Sequence, residues 1–424
     1  MANIEPFRGI RYNTARIEEL STLISPPYDI IDQQEQDSFY NQNPYNIIRL
    51  EYGREKSGDR PDDNRYTRAN RTFTRWQEQG ILQLEDRPVF YLYRQSFSYQ
   101  GRAYRRIGIF AALRVEPYHT KAVLPHEKTL SKPKTDRLEL LKSCRAGFSP
   151  IFVLYPDREN KVEHICNSYF SRPPLLSFQD RGGQEHSLWT IADPAQIKGL
   201  QGLIAPLSLL IADGHHRYET ALRFSREADA GGKKGYFYAM AALVNLHSPG
   251  LLMLPTHRLL KGLSVQQEGS LIEIASRSFD LQFRDLPGNL SESALFPELS
   301  QPGRTLPALG LILADRLCLL TLKSPLYEPG SLDVTLLQDR VFQPLFAGSP
   351  AGSMEKAISY STDQQDIAKS VVRGEAQAGF ILNPTPIEKV IEMAEKGEMM
   401  PQKSSYFYPK LPSGLVIYSL EKSL

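Results

Sequence analysis

Asp213-Gly214-His215-His216-Arg217-Tyr218-Glu219-Thr220-Ala221 is the stretch on which the reading of this chain turns. The apolar run Leu207 to Ala212 precedes it and reads as a buried strand. Tyr218, Ala221, Leu222 and Ser225 then share one face of an amphipathic helix. One strand-to-helix turn thus gathers a carboxylate, two imidazoles and a guanidinium. A helix start presents unpaired N–H groups and the positive end of the helix dipole, so an anion is favoured there. Singly, Asp213 suits an N-cap, Gly214 a tight turn and the two histidines a solvated loop. It is the conjunction that points to a ligand-binding or catalytic turn.

Arginine, imidazolium and helix N–H groups all bind phosphate oxygens. A neighbouring carboxylate can hold Mg2+ or take the proton of an attacking hydroxyl. Phosphoryl transfer uses all of these parts, because its catalysis is mostly positioning and charge neutralisation. A zinc site fits less well: adjacent histidines at a helix start lack the i, i+4 spacing of a helical zinc motif.

Outward from the turn, strands alternate with helices and hairpins, which predicts an α+β (mixed α/β) fold. Helical spacing covers Tyr66 to Gln79, with Gly80 closing it, and Val89–Phe97 and Arg105–Val115 read as a hairpin. Tyr45–Glu51 reads as a strand. Residues 116–150 hold a Pro-punctuated, charged loop and then a helix capped by Thr135 or Asp136. The helix after Asp213 should stop at Gly231-Gly232. Gly262 to about Gly303 reads as a junction, so residues 1–260 form one region and 261–424 a C-terminal α/β domain. In that domain Thr385-Pro386-Ile387-Glu388 has the pattern of a capping box.

Composition limits the alternatives. A formal net charge of +2 gives no global drive toward nucleic acid. Cys144, Cys166 and Cys318 are widely spaced and form no disulfide framework or metal pair, which suits a reducing cytoplasm. The N-terminus has no signal-peptide core, and no run reaches the roughly 20 apolar residues of a membrane span.

Six segments carry a resemblance to a family. Phe7-Arg8-Gly9-Ile10-Arg11-Tyr12, Pro26-Pro27-Tyr28-Asp29, Leu124-Pro125-His126-Glu127, Ala212 to Ala221, Leu254-Pro255-Thr256-His257-Arg258 and Met400 to Lys410 resemble, in that order, the bacterial and archaeal DUF1015 family. More distantly, Asp-Gly-His-His-Arg at a strand-to-helix turn is similar to the phosphate-binding box of the ParB/sulfiredoxin superfamily. That superfamily includes CTP-binding partition proteins, sulfiredoxin and free-serine kinases. The resemblance implies a ParB/sulfiredoxin-like core in residues 1–260; the second domain would close over its site if the loop at Lys403 and Ser404 binds phosphate.

The superfamily's branches differ in chemistry. Sulfiredoxin needs a cysteine inside the box, and Asp213 to His216 offers none. Partition proteins add a basic DNA-binding unit, against which the near-neutral charge argues. The serine kinases keep the box unchanged and use its Asp with an upstream Glu to activate the serine hydroxyl. The resemblance therefore implies Asp213 and Glu127 as the catalytic pair, with Mg2+ at Asp213. Gly214, His215, His216 and Arg217 would bind phosphate or nucleotide.

Other residues join as candidates. Lys128, Lys132, Lys134 and Arg137 surround Glu127 and suit a polyphosphate; Thr129 can hydrogen-bond a phosphate or a substrate carboxylate, and Lys403 and Ser404 in a late polar loop can hold phosphate. His126, His257, Arg258 and Asp29 are candidate substrate-binding residues. No Walker A motif or kinase Gly-rich loop fixes the donor, so ATP, ADP and pyrophosphate stay open. The expected protein is a cytoplasmic kinase acting on an amino acid, without nucleic-acid or membrane partners. The alternatives are a nucleotide-binding regulatory module without transfer chemistry and a nucleotide or phosphate-ester hydrolase. The oligomeric state is not legible.

Overall fold

The computed structural model describes residues 1–17, 19–129, 131–227, 233–288, 290, 295–300 and 305–424. Its chain divides into two units: Met1–Pro125, Thr129–Leu252 and Pro409–Leu424 form the first, and His126–Lys128 with Met253–Tyr408 the second. The division falls after Leu252, where the sequence reading has residue 260, with His126–Lys128 in the second unit and Pro409–Leu424 in the first. Backbone pairing is the reason, since buried N–H and C=O groups need partners wherever the sequence supplies them. Met400 N–H donates to the His126 carbonyl at 2.8 Å and Lys128 N–H to the Met400 carbonyl at 3.3 Å. In the first unit, Ser413 N–H donates to Ser25 at 2.8 Å and Ile417 N–H to Ile10 at 2.7 Å.

The first unit is built on nine strands: β1 (Ile4–Glu5), β2 (Phe90–Tyr99), β3 (Arg102–Arg114), β4 (Val123–Leu124), β5 (Ile151–Tyr155), β6 (Leu176–Gln179), β7 (Glu185–Ile191), β8 (Leu209–Asp213) and β9 (Tyr238–Asn245). They pair in the order β4-β8-β5-β9-β3-β2-β7-β6, with β1 against β3. The β8–β4 and β9–β5 pairs are parallel. Strand β5 is buried at every position and β8 at all but Asp213, the pattern of strands covered on both faces. The β2–β3 hairpin turns through Gln100 and Gly101, whose φ values of 47° and 74° match the twist of its strands.

Helices of this unit include α1 (Arg65–Glu78), α2 (Ser131–Cys144), α3 (Pro194–Ile204) and α4 (His215–Glu227). Asn64 starts α1 through a capping box with Thr67. Helix α4 buries Tyr218, Ala221 and Phe224; Tyr218 and Ala221 join a core with Val153, Ile211 and Leu243. Its expected stop at Gly231-Gly232 lies outside the described residues. Helix α2 begins earlier than expected, with Pro133 in its first turn, where no intrahelical N–H is required. Asp136 is not its cap; it pairs with Arg65 and Arg137. The strand expected at Tyr45–Glu51 is instead a short helix, Ile48–Glu51. Asn43 and Asn46 turn the chain there by accepting the N–H groups of Tyr45 and Ile48, both at 2.9 Å.

The second unit holds an antiparallel sheet of β10 (His257–Leu260), β11 (Phe279–Asp285), β12 (Ala308–Ile312), β13 (Arg316–Leu322), β14 (Ile358–Ser361) and β15 (Ala378–Ile381). The order is β11-β13-β12-β15-β10-β14. Helices α5 (Val265–Ser278), α6 (Gln364–Val372) and α7 (Ile387–Lys396) accompany it. The expected junction from Gly262 is corrected: Ser264 and Gln267 form a capping box for α5, and β11 follows directly. Gly303, its expected end, lies outside the described residues. The capping box expected at Thr385 does not form. Pro386 is the N-cap of α7, and Thr385 Oγ1 donates instead to the Ser404 carbonyl at 3.0 Å. The fold is mixed α/β, as the sequence indicates.

Candidate functional site

The Asp213 turn is shaped by its backbone. The β8–β5 register shifts between Ile211 and Asp213, which re-aims the end of the strand. Gly214 follows with φ +92°, and a Cβ there would lie 3.0 Å from the Arg217 guanidinium carbon. Only glycine fits both the angle and the space. Helix α4 then begins, with Tyr218 N–H donating to the Gly214 carbonyl at 2.9 Å.

Asp213 is held at both oxygens. Arg217 Nη2 donates to Oδ2 at 2.5 Å, and Lys410 Nζ donates to Oδ1. Arg217 Nη1 also donates to the Pro150 carbonyl. The three side chains are only 10–12% exposed, so these charges meet with little intervening water. His215 is buried and His216 half-buried at the start of α4. Tyr218 locks the helix behind them: its hydroxyl donates to the Glu116 carbonyl at 2.8 Å and accepts the Glu116 N–H at 2.9 Å.

The charged loop feeds the same helix. Thr129 Oγ1 and Lys134 Nζ both donate to Glu219 Oε2, at 2.8 and 3.0 Å. Arg137 donates to the Glu51 carbonyl at 2.8 Å and to Asp136 Oδ2 at 2.5 Å, and lies 3.9 Å over the Tyr28 ring. Burial pushes the Tyr28 phenol up, while the Arg137 and Arg217 cations pull it down. Arg137 and Arg217 line one cavity together with the polar residues Glu51, Ser149 and Thr220 and the apolar residues Phe148, Phe224 and Met240. Asp29 is exposed in the 3-10 turn that carries Tyr28. Lys134 and Arg137, nominated for phosphate, are thus each engaged by a carboxylate.

The remaining candidates gather in the second unit. Glu127 Oε1 accepts the Lys403 N–H at 2.9 Å, and the Lys403 carbonyl accepts Arg258 Nη2 at 3.0 Å. Lys403 itself is left-handed, with φ 55°. His126 is fully buried and bonds Ser405 Oγ through Nε2 at 2.7 Å. Ser404 Oγ donates to the Pro401 carbonyl at 2.5 Å. The polar loop nominated for phosphate is therefore held at each residue from 403 to 405, while Lys128 is exposed. Burial lowers the Arg258 pKa to about 10, opposed by Tyr360 and Glu127, so it stays charged at neutral pH. Burial, then Arg258, pushes His257 down to about 3. His257 is neutral, and its Nδ1 accepts the Leu382 N–H at 3.2 Å, which leaves the proton on Nε2.

Sequence reasoning missed the roles of Lys410, Glu51 and Tyr28, and the pairing of Glu219 with Thr129 and Lys134. Lys410 stood within a segment already singled out, but no local pattern marks it as the partner of Asp213.

The cysteines offer no nucleophile: burial raises Cys144 and Cys166 to about 12 and Cys318 to about 11. Among the described residues, no group of three His, Cys, Asp or Glu side chains gathers to hold a metal. Asp213 does not fit a Mg2+ ligand in this arrangement, because a cation donates to each of its oxygens. Among the described residues no helix is long and apolar enough to cross a membrane.

Solved structures similar to this chain include a conserved hypothetical protein from Pyrococcus furiosus, at 16% identity and TM-score 0.37, covering 74% of this chain and 96% of that one. A free serine kinase in complex with AMP is similar at 16% identity and TM-score 0.36, with 73% and 92% covered. SbnI with a C-terminal truncation, from Staphylococcus aureus, is similar at 11% identity and TM-score 0.36, with 71% and 84% covered. No curated protein shows a significant match. A family model described as "Protein of unknown function (DUF1015)" matches residues 4–335, and the chain belongs to that family.

Proposed function

We propose that this protein is a small-molecule kinase, transferring a phosphoryl group from a nucleotide or pyrophosphate to the hydroxyl of free L-serine. The observation that carries the reading is the Asp213 turn, where one shielded carboxylate meets Arg217 and Lys410 at the start of a helix. Two cations favour the ionised carboxylate, and a helix start favours phosphate oxygens. In the proposed step the serine O–H bond breaks and its proton passes to Asp213. The serine oxygen bonds to phosphorus while the bond from phosphorus to the leaving phosphate oxygen breaks, and the leaving group departs with the electron pair. His215, His216 and Arg217 hold the donor's phosphates. Glu127 is the second carboxylate of the proposal. The set offers little covalent chemistry and much charge placement, which is what this class of reaction uses.

The test is incubation of the full-length protein with L-serine, Mg2+ and ATP, ADP or pyrophosphate in turn, with phosphoserine measured by mass spectrometry. Phosphoserine from one donor supports the reading. Nucleotide binding without product would favour a regulatory module, and phosphate release without serine would favour a hydrolase.

A further inference from the structure

The geometry points to Lys410 as a positioning residue of the transfer site, an inference that rests on the kinase reading above. Lys410 lies beyond the residues 4–335 that the family model matches. Its ammonium sits on Oδ1 of Asp213 while Arg217 holds Oδ2, so the carboxylate is fixed from both ends. A carboxylate tied at one oxygen can still rotate about its terminal bond; one tied at both cannot.

The lysine is itself placed by a buried group. Arg106, 1% exposed, donates to the Pro409 carbonyl at 2.5 Å and to Gln95 Oε1 at 2.5 Å. This anchors the residue directly before Lys410 to strand β3.

Docking the C-terminal segment does not depend on the ion pair. Ser413 bridges Ser25, Gly414 N–H donates to the Phe148 carbonyl at 3.1 Å, Ile417 bridges Ile10, and Tyr418 pairs with Gly147. Ordering a lysine and withdrawing its ammonium to 10% exposure costs rotamer freedom and hydration. In a segment already tied down, that cost has a return if Asp213 must be ionised and aimed when a hydroxyl proton reaches it. Lys410 supplies both through Asp213, not by contact with serine or the phosphoryl donor.

The experiment compares Lys410→Met, Lys410→Arg and, as a control on the same segment, Lys422→Met in the full-length protein. Phosphoserine formation is followed against serine concentration and pH, with thermal melts alongside. Lys410→Met should lower kcat at least tenfold with the serine KM changed less than threefold. Its acid limb should move to higher pH, because removing a cation makes Asp213 harder to ionise. Lys410→Arg should recover most of the rate and restore the acid limb, and Lys422→Met should match the parent. An active parent with an unchanged Lys410→Met rate and pH profile overturns the role of Lys410 alone. Loss of the fold in Lys410→Met also overturns it, by showing a structural clamp. A parent that makes no phosphoserine from any donor overturns the kinase reading, and this inference with it.

Discussion

The carboxylate of Glu127 accepts the backbone N–H of Lys403 at 2.9 Å, joining positions 276 residues apart in the chain. A glutamine amide oxygen can accept the same N–H. Glu127→Gln should therefore keep the fold, with a stability change within about 1 kcal/mol, while removing the charge. If Glu127 serves the reaction, phosphoserine formation falls at least a hundredfold; full activity removes it from the proposed pair.

Asp213→Asn should lose both turnover and stability. The amide would set an NH2 group against Lys410 or Arg217, leaving largely shielded cations poorly compensated. A cost of about 2–4 kcal/mol is expected in urea unfolding, together with at least a hundredfold lower phosphoserine production. A variant that unfolds like the parent would show that the two ion pairs contribute little.

Gly214→Ala tests the turn's shape without altering charge. It forces a side chain into φ +92° and within 3.0 Å of the Arg217 guanidinium carbon. The expected loss is about 1–3 kcal/mol, with turnover reduced because Arg217 is displaced. Crystallography of the variant would read the Arg217 shift directly.

Arg137 separates a structural role from phosphate binding. It is nearly buried against Glu51, Asp136 and the face of Tyr28. Arg137→Met should cost about 3–5 kcal/mol by leaving Glu51 without its cation, and Arg137→Lys should rescue little, since lysine lacks the planar fork. Weakened nucleotide binding with unchanged stability would restore it to the phosphate-binding set.

His257 gives a pH dependence with a definite sign. Its pKa falls from 6.5 to about 3 on folding, so between those values the unfolded chain binds the extra proton. Stability from this group is present above pH 6.5 and is lost as pH falls toward 3, at roughly 1.4 kcal/mol per unit. Urea unfolding at pH 7, 6 and 5 should show the decline. His257→Asn, which can still accept the Leu382 N–H, should flatten it.

What the sequence made legible was local. The strand before Asp213, the helix after it and the glycine between them follow from apolar spacing and turn chemistry. Helix α1 and the β2–β3 hairpin carry equally plain signals. What escaped was set by distant partners. Glu127 lies in the second unit because its neighbours pair with Met400, a contact no window around residue 127 contains. Lys410 joins Asp213 across 197 positions. Helix α5 was hidden for a different reason: Gly262 beside Ser264 looked like loop, although Ser264 and Gln267 cap a helix. Thr385 shows the reverse, a capping pattern whose hydroxyl was drawn to Ser404 instead.

The return of Pro409–Leu424 to the first unit bears on how the protein is made. Synthesis is vectorial, and domains begin folding as they emerge. Here Asp213 and Arg217 emerge long before Lys410, and the second unit is translated in between. Until residues 409–424 have left the ribosome, a nascent first unit has its turn and its helix but not the lysine that completes the carboxylate's hold. The order of translation thus delays completion of the Asp213 turn until nearly all of this sequence has been read.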